Sequence, residues 1–224
     1  MIKGVIFDMD GTMFDTEPIS ARCWHEAGKR VSLTIPDEVV RRCVGKNTTV
    51  VTQILKDGLG EDVDIPALRG IRDQIFFETI AREGVPIKKG LTDLLDFLKQ
   101  EDIPRVVATS TGKERASFVL DHSGVAEDFD AFIYGDEISA SKPAPDIFLA
   151  AARAIGMDIK TCLILEDSTA GLLAGKAAGA DVIYIPDIEV VPEEAKEGIS
   201  VQMEDLGEVI DWIKKENKEE KRDV

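Results

Sequence analysis

The chain is predicted to be α/β, a doubly wound parallel sheet with a Rossmann-like core and a small α-helical domain inserted near its start. Three observations predict this. Five short runs are apolar throughout rather than alternating, as in strands covered on both faces. Stretches with helical apolar spacing lie between the later runs, and strands alternating with helices form a parallel sheet. The first two runs are about a hundred residues apart, too long a gap for one crossover.

In chain order, Val5-Ile6-Phe7 is the first strand. From Thr16 to Pro86 no strand-like run appears. Thr16 can cap a helix with Pro18 near its start, Pro36 can open another, and Thr48 to Leu55 a third. Residues 16–86 are therefore read as a helical cap, with Gly84-Val85-Pro86 and Lys88-Lys89-Gly90 as the return hinge. Residues 1–15 and 87–224 are the α/β core. Leu91, Leu94, Leu95 and Leu98 fall at i, i+3, i+4, i+7, one face of a helix. The next strands are Val106-Val107-Ala108, Phe132-Ile133-Tyr134 and Cys162-Leu163-Ile164-Leu165. Ala170 to Ala180 is rich in Ala and Gly, which permits close helix-to-sheet approach. Val182-Ile183-Tyr184-Ile185 is the fifth strand, and Leu206, Val209, Ile210 and Ile213 mark a last helix. The charged tail from Lys214 reads as a helix end in solvent.

Composition narrows the function. The 224 residues carry 27 Lys+Arg against 43 Asp+Glu, a formal charge of −16. That balance argues against a nucleic-acid reader and an anionic membrane surface, since both draw on clustered cations. No run approaches the roughly 18 apolar residues of a membrane span. The N-terminus lacks a secretory pattern. The three cysteines are scattered and form neither a disulfide framework nor a metal motif. A cytoplasmic, monomeric protein is the expectation. An anionic small substrate would need a local positive site or a cation.

The residues that carry chemistry follow the strands. Asp8-Met9-Asp10-Gly11-Thr12 directly follows the first, and ligands of open α/β sheets bind outside the carboxyl ends of the strands. Two carboxylates at i and i+2 start roughly 6–7 Å apart, which suits one attacking a centre while the other serves the leaving group. Read alone, the segment is as readily a simple turn. Thr109-Ser110-Thr111-Gly112 follows the second strand and offers hydroxyls and amides for an anion, or an ordinary helix cap. Lys142, in the Pro-rich turn after the third, can be aimed at a fixed anion or can be a surface lysine. Glu166-Asp167-Ser168 follows the fourth, supplying hard oxygen ligands for Mg²⁺ or acids that cap a helix. Together they are harder to dismiss. Asp8, Asp10, Glu166 and Asp167 packed without a cation would repel a phosphate, and a divalent ion plus Lys142 removes that objection.

At this point the chain resembles the haloacid dehalogenase superfamily. Asp8-x-Asp10-Gly11-Thr12, Thr109, Lys142-Pro143 and Glu166-Asp167 are similar, in order, to its four motifs. The helical insertion looks like the cap of the β-phosphoglucomutase-like branch. The resemblance implies phosphoryl transfer through an aspartyl-phosphate. Asp8 would be the nucleophile. Asp10 would protonate the leaving oxygen and then deprotonate water. Thr109 and Ser110 would hold phosphate oxygens, and Lys142 would neutralise charge. Mg²⁺ would be bound by the Asp8 carboxylate, the Asp10 carbonyl and Asp167, with Glu166 as a ligand or behind the ligands.

Within the family, Asp10 favours an oxygen leaving group over a halide or a phosphonate carbon. Mutases of this branch usually carry a His in the first cap helix and an Arg after a cap glycine. Here the matching positions read Ser20 and, near Gly45-Lys46-Asn47, Thr48. Lys46 could partly replace that arginine, and Lys46 and Asn47 are the cap candidates for substrate contact. The expectation is hydrolysis of a small phosphorylated metabolite, such as a sugar phosphate, with a sugar-phosphate mutase as runner-up. A phospho-accepting receiver domain needs no inserted cap and no second Asp, and the complete motif set speaks against an inactive binding module. His25 and His122 lie in helical patterns away from the strand ends, and Trp24 with Phe76-Phe77 is read as cap packing.

Overall fold

The computed structural model describes residues 1–220 apart from 45 and 47. Six strands, β1 (Gly4–Phe7), β2 (Arg105–Ala108), β3 (Ala131–Ile133), β4 (Cys162–Glu166), β5 (Asp181–Tyr184) and β6 (Val201–Gln202), form one parallel sheet in the order β3-β2-β1-β4-β5-β6. Five coincide with the apolar runs. The sixth is two residues long at the sheet edge, too short to carry a period.

The continuous apolar runs have a direct cause. Val5, Phe7, Val107, Leu163 and Leu165 pack into one cluster, while Ile6, Val106, Ala108, Cys162 and Ile164 pack into another on the opposite face. Alternate residues of each strand point to opposite faces, so a sheet covered on both sides needs apolar residues at every position.

Four described helices fall within residues 16–86, after β1: α1 (Glu17–Arg30), α2 (Asp37–Cys43), α3 (Thr48–Leu59) and α4 (Ile65–Glu83). The first three match the sequence signals. The fourth, the longest of the described helices, was not singled out. Its buried face runs Ile65, Leu68, Arg72, Ile75, Phe76, Thr79, Ile80. The spacing is helical, but Arg72 and Thr79 interrupt the apolar stripe. The segments leading into and out of these helices lie side by side. The Asp15 amide donates to Pro86 O at 2.9 Å and the Lys88 amide to Met13 O at 2.9 Å.

The later helices are α5 (Leu91–Gln100), α6 (Lys113–Ser123), α7 (Asp146–Ala154), α8 (Thr169–Ala178), α9 (Glu193–Lys196) and α10 (Glu208–Glu220). The four leucines of α5 are all buried. In α8, Gly175 lies against β4 and β5, where a Cβ would meet Val182 Cγ2 at 2.7 Å. No described helix is long and apolar enough to cross a membrane.

Register then positions the chemistry. Phe7 stands opposite Val107 on one side and Leu165 on the other. The carboxyl ends of β1, β2 and β4 are therefore almost level. Strand order reverses direction between β1 and β4, which opens a crevice at that end of the sheet.

Candidate active site

Asp8 is the first residue beyond β1, and its amide continues the ladder by donating to Leu165 O at 3.0 Å. The chain then turns at Gly11, whose φ is +88°. A Cβ there would lie 2.2 Å from Asp167 Oδ2, so only glycine lets the β1 and β4 loops come this close. Thr12 Oγ1 donates to Asp167 Oδ1 at 3.1 Å and fixes the approach.

Asp10 is held by two hydroxyls. Thr16 Oγ1 donates to its Oδ1 at 2.5 Å and Thr111 Oγ1 to its Oδ2 at 2.7 Å. This corrects the reading of Thr16. It stands at the position before α1, but its side chain makes no capping bond and serves Asp10 instead. Neither threonine was separated from ordinary cap chemistry in the sequence, because the partner of each is set by folding.

Lys142 follows β3 and is 8% exposed. Its Nζ lies 2.5 Å from Asp8 Oδ1, 2.6 Å from Glu166 Oε1 and 3.3 Å from Ala108 O, and 4.8 Å from the Phe148 ring centre. Glu166 is fully buried, and its other oxygen accepts from the Ser168 amide at 2.7 Å and Ser168 Oγ at 3.0 Å. A Cβ at Gly171 would fall 1.8 Å from the Glu166 carboxylate, so the first turn of α8 must be bare there. Burial pushes the Asp8 carboxyl up to about 8, with Lys142 opposing and Glu166 and Asp10 adding to the rise. Asp167 is raised by burial and by Glu166, Asp8 and Asp187. Burial by itself would lower the Lys142 ammonium, but Asp8 and Glu166 outweigh it and hold the group above its ordinary value.

Thr109 is buried, and its Oγ1 accepts from the Thr111 amide at 3.0 Å, which leaves its own proton for an anion. Not every amide at the start of α6 is available, since Lys113 N is taken by Asp136. Asp8, Asp10, Thr109, Ser110, Lys142 and Asp167 all line one cavity of about 470 Å³, whose opposite wall comes from α1 to α4. Ser20, Trp24 and Lys46 reach that cavity. Lys46 Nζ pairs with Glu189 Oε1 at 3.0 Å, and Asn47 lies outside the described residues. His25 pairs with Asp37, and His122 stacks on Phe118, both away from the cavity. The three cysteines are buried and unpaired.

Among the described residues, oxygens of Asp8, Glu166 and Asp167 lie within 4.8 Å of one another. Lys142 contacts two of these three buried carboxylates, Asp8 and Glu166, Asp167 has no such contact with it, and an all-oxygen donor set suits Mg²⁺. The residues present therefore fit that ion.

Known proteins resemble this chain. A family model described as haloacid dehalogenase-like hydrolase matches residues 2–179. The fructose-1-phosphate phosphatase YqaB of Escherichia coli is 31% identical over 184 residues, covering 81% of this chain and 95% of that protein. Hexitol phosphatase A of Escherichia coli is 31% identical over 183 residues, covering 82% of each chain. The fold is shared with the crystal structure of CbbY from Rhodobacter sphaeroides in complex with phosphate, at a TM-score of 0.82 and 24% identity over 93% of this chain and 96% of that one.

Proposed function

Because the chain belongs to the haloacid dehalogenase-like hydrolase family, we propose that it is a phosphatase acting on a small phosphorylated sugar or polyol through an aspartyl-phosphate on Asp8. The observation that carries this reading is the convergence of Asp8, Asp10, Thr109 and Lys142 on one cavity. The two phosphatase relatives, one of fructose 1-phosphate and one of hexitol phosphates, support the substrate class.

In this reading an Asp8 oxygen attacks phosphorus, and the bond to the sugar oxygen breaks as Asp10 delivers its proton there. Water then attacks the same phosphorus, Asp10 takes the water's proton, and the Asp8 carboxylate leaves. Thr16 and Thr111 aim Asp10. The Thr109 hydroxyl and the Ser110 amide hold phosphate oxygens. Lys142 balances the charge that Asp8 and the phosphate bring together. The Asp8 carboxylate, the Asp10 carbonyl and Asp167 would hold Mg²⁺, which when bound neutralises phosphate oxygens. Glu166 engages both its oxygens with Lys142 and Ser168, so it acts by orienting Lys142.

In this reading residues 16–86 form the cap and residues 1–15 and 87–224 the core of a monomeric enzyme, and its partner is a small phosphorylated substrate rather than nucleic acid. Ser20 borders that cavity where a mutase of this branch carries histidine, which favours hydrolysis. The test is phosphate release, with Mg²⁺, from fructose 1-phosphate, hexitol phosphates and other sugar phosphates, alongside an assay for hexose-phosphate isomerisation. Phosphate release without isomerisation is expected. Isomerisation without net release makes the chain a mutase, and neither activity on any ester removes the reading.

A further inference from the structure

A buried carboxylate that the phosphatase reading does not use stands beside the acid cluster. The chain beyond β5 runs next to the chain beyond β4, with the Ile185 amide donating to Glu166 O at 2.8 Å. Asp187 follows two residues later, and its side chain is 6% exposed. Its Oδ1 accepts from Lys88 Nζ at 2.7 Å. Lys88 lies where the chain returns from the inserted helices, and its amide bond to Met13 O ties it to the turn after Asp10. The carboxylate is thus held from one side. Its other oxygen, Oδ2, is buried and has no hydrogen-bond partner.

That oxygen is turned toward the place where the metal-holding groups meet. A Cβ on Gly11 would lie 3.0 Å from Asp187 Oδ2 and 2.2 Å from Asp167 Oδ2, so both acids close on the same bare glycine. The Asp10 carbonyl belongs to the peptide that enters that glycine. Asp187 stands outside the group of Asp8, Glu166 and Asp167 oxygens that lie within 4.8 Å of one another, so it is not placed as a direct donor. Mg²⁺ dehydrates reluctantly and keeps several waters, whose protons need acceptors. Glu166 cannot serve them, since Lys142 and Ser168 occupy its oxygens. A buried carboxylate oxygen with no donor costs free energy until one arrives.

We propose that Asp187 is a positioning residue of the metal centre: its Oδ2 accepts from a water that the bound cation holds, and Lys88 fixes its direction. The assignment rests on the Mg²⁺-dependent phosphatase reading and deepens it. The donor that Oδ2 lacks arrives with the hydrated ion, and the ion gains an oriented acceptor behind Asp167. Through Lys88 the same acid fastens the return segment of the inserted helices to the metal end of the sheet.

The test is calorimetric titration of the full chain with Mg²⁺, without substrate. Asp187→Asn keeps the shape and an acceptor for Lys88 but puts an N–H donor in place of Oδ2. Its Mg²⁺ affinity should fall roughly 10–100-fold, the usual cost of losing a group that orients a metal's ligands. The Mg²⁺ concentration for half-maximal phosphate release should rise in step. Lys88→Met removes the ion pair and keeps the acceptor, so its loss of affinity should be smaller. A crystal structure of the Mg²⁺-loaded parent should show a metal-bound water within hydrogen-bonding distance of Asp187 Oδ2, a readout that needs no variant to fold. Unchanged affinity in Asp187→Asn, an equal loss in Lys88→Met, or no such water overturns the role of Asp187 and leaves the phosphatase reading intact. A parent that binds no Mg²⁺ instead removes the metal-dependent reading beneath it.

Discussion

Lys142 Nζ lies 2.5 Å from Asp8 Oδ1, although the two residues are 134 apart in sequence. The same ammonium is 2.6 Å from Glu166 Oε1. It is the cation nearest a pocket of buried carboxylates, and this makes it structural as well as chemical. Lys142→Met should destabilise the metal-free protein by about 3–5 kcal/mol, because it strands buried negative charge. Turnover should fall at least ~100-fold. Urea unfolding and phosphate release measure the two effects; a variant as stable as the parent would show that the pair is not what offsets the buried acids.

The nucleophile and the acid should separate by leaving group. Asp8→Asn should abolish turnover on every ester. Asp10→Asn should cripple alkyl phosphates far more than p-nitrophenyl phosphate, whose leaving group hardly needs a proton. Roughly 10²–10⁴-fold on the alkyl ester is the scale of a lost general acid. Equal losses on both esters would move Asp10 out of that role.

Thr16 and Thr111 should matter through Asp10 alone. Thr16→Val keeps the shape and removes the 2.5 Å bond. We expect kcat on alkyl phosphates to fall by roughly tenfold, the scale of one charge-assisted hydrogen bond. KM should hold, and the pH profile of kcat should shift. A change confined to thermal stability would make Thr16 a helix-end residue only.

Metal and protons should compete at Asp8. Its carboxyl, ordinarily near 3.8, is raised to about 8 in the folded protein, mainly by burial. The folded protein then keeps a proton that the unfolded chain has released, so stability of the metal-free form falls as pH climbs from about 4 toward 8. A divalent ion must displace that proton. Apparent Mg²⁺ affinity should therefore tighten by up to about tenfold per pH unit below 8. The gain in melting temperature on adding Mg²⁺ should grow with pH over the same range. EDTA should silence turnover and Mg²⁺ restore it. An affinity independent of pH between 6 and 8 would contradict the protonated Asp8.

The sequence by itself determined the sheet and the end of it where the candidate residues gather. Strands buried on both faces must be apolar at every position, so β1, β2, β3, β4 and β5 announced themselves. Residues that follow such strands gather at one end of a parallel sheet, so Asp8, Thr109, Lys142 and Asp167 stood out as candidates when read together, though none did so alone. Tertiary structure decided what depends on partners distant in sequence. Thr16 looked like a cap residue because a hydroxyl before a helix reads the same whether it bonds the helix or an aspartate. The fourth helix of the insertion was hidden by Arg72 and Thr79 on its buried face. Arg72 is tolerated there because its guanidinium lies over the Trp24 ring of α1, 4.7 Å from its centre, and pairs with Asp73. No local period records that arrangement, since Arg72 and Trp24 meet only when α1 and α4 pack together.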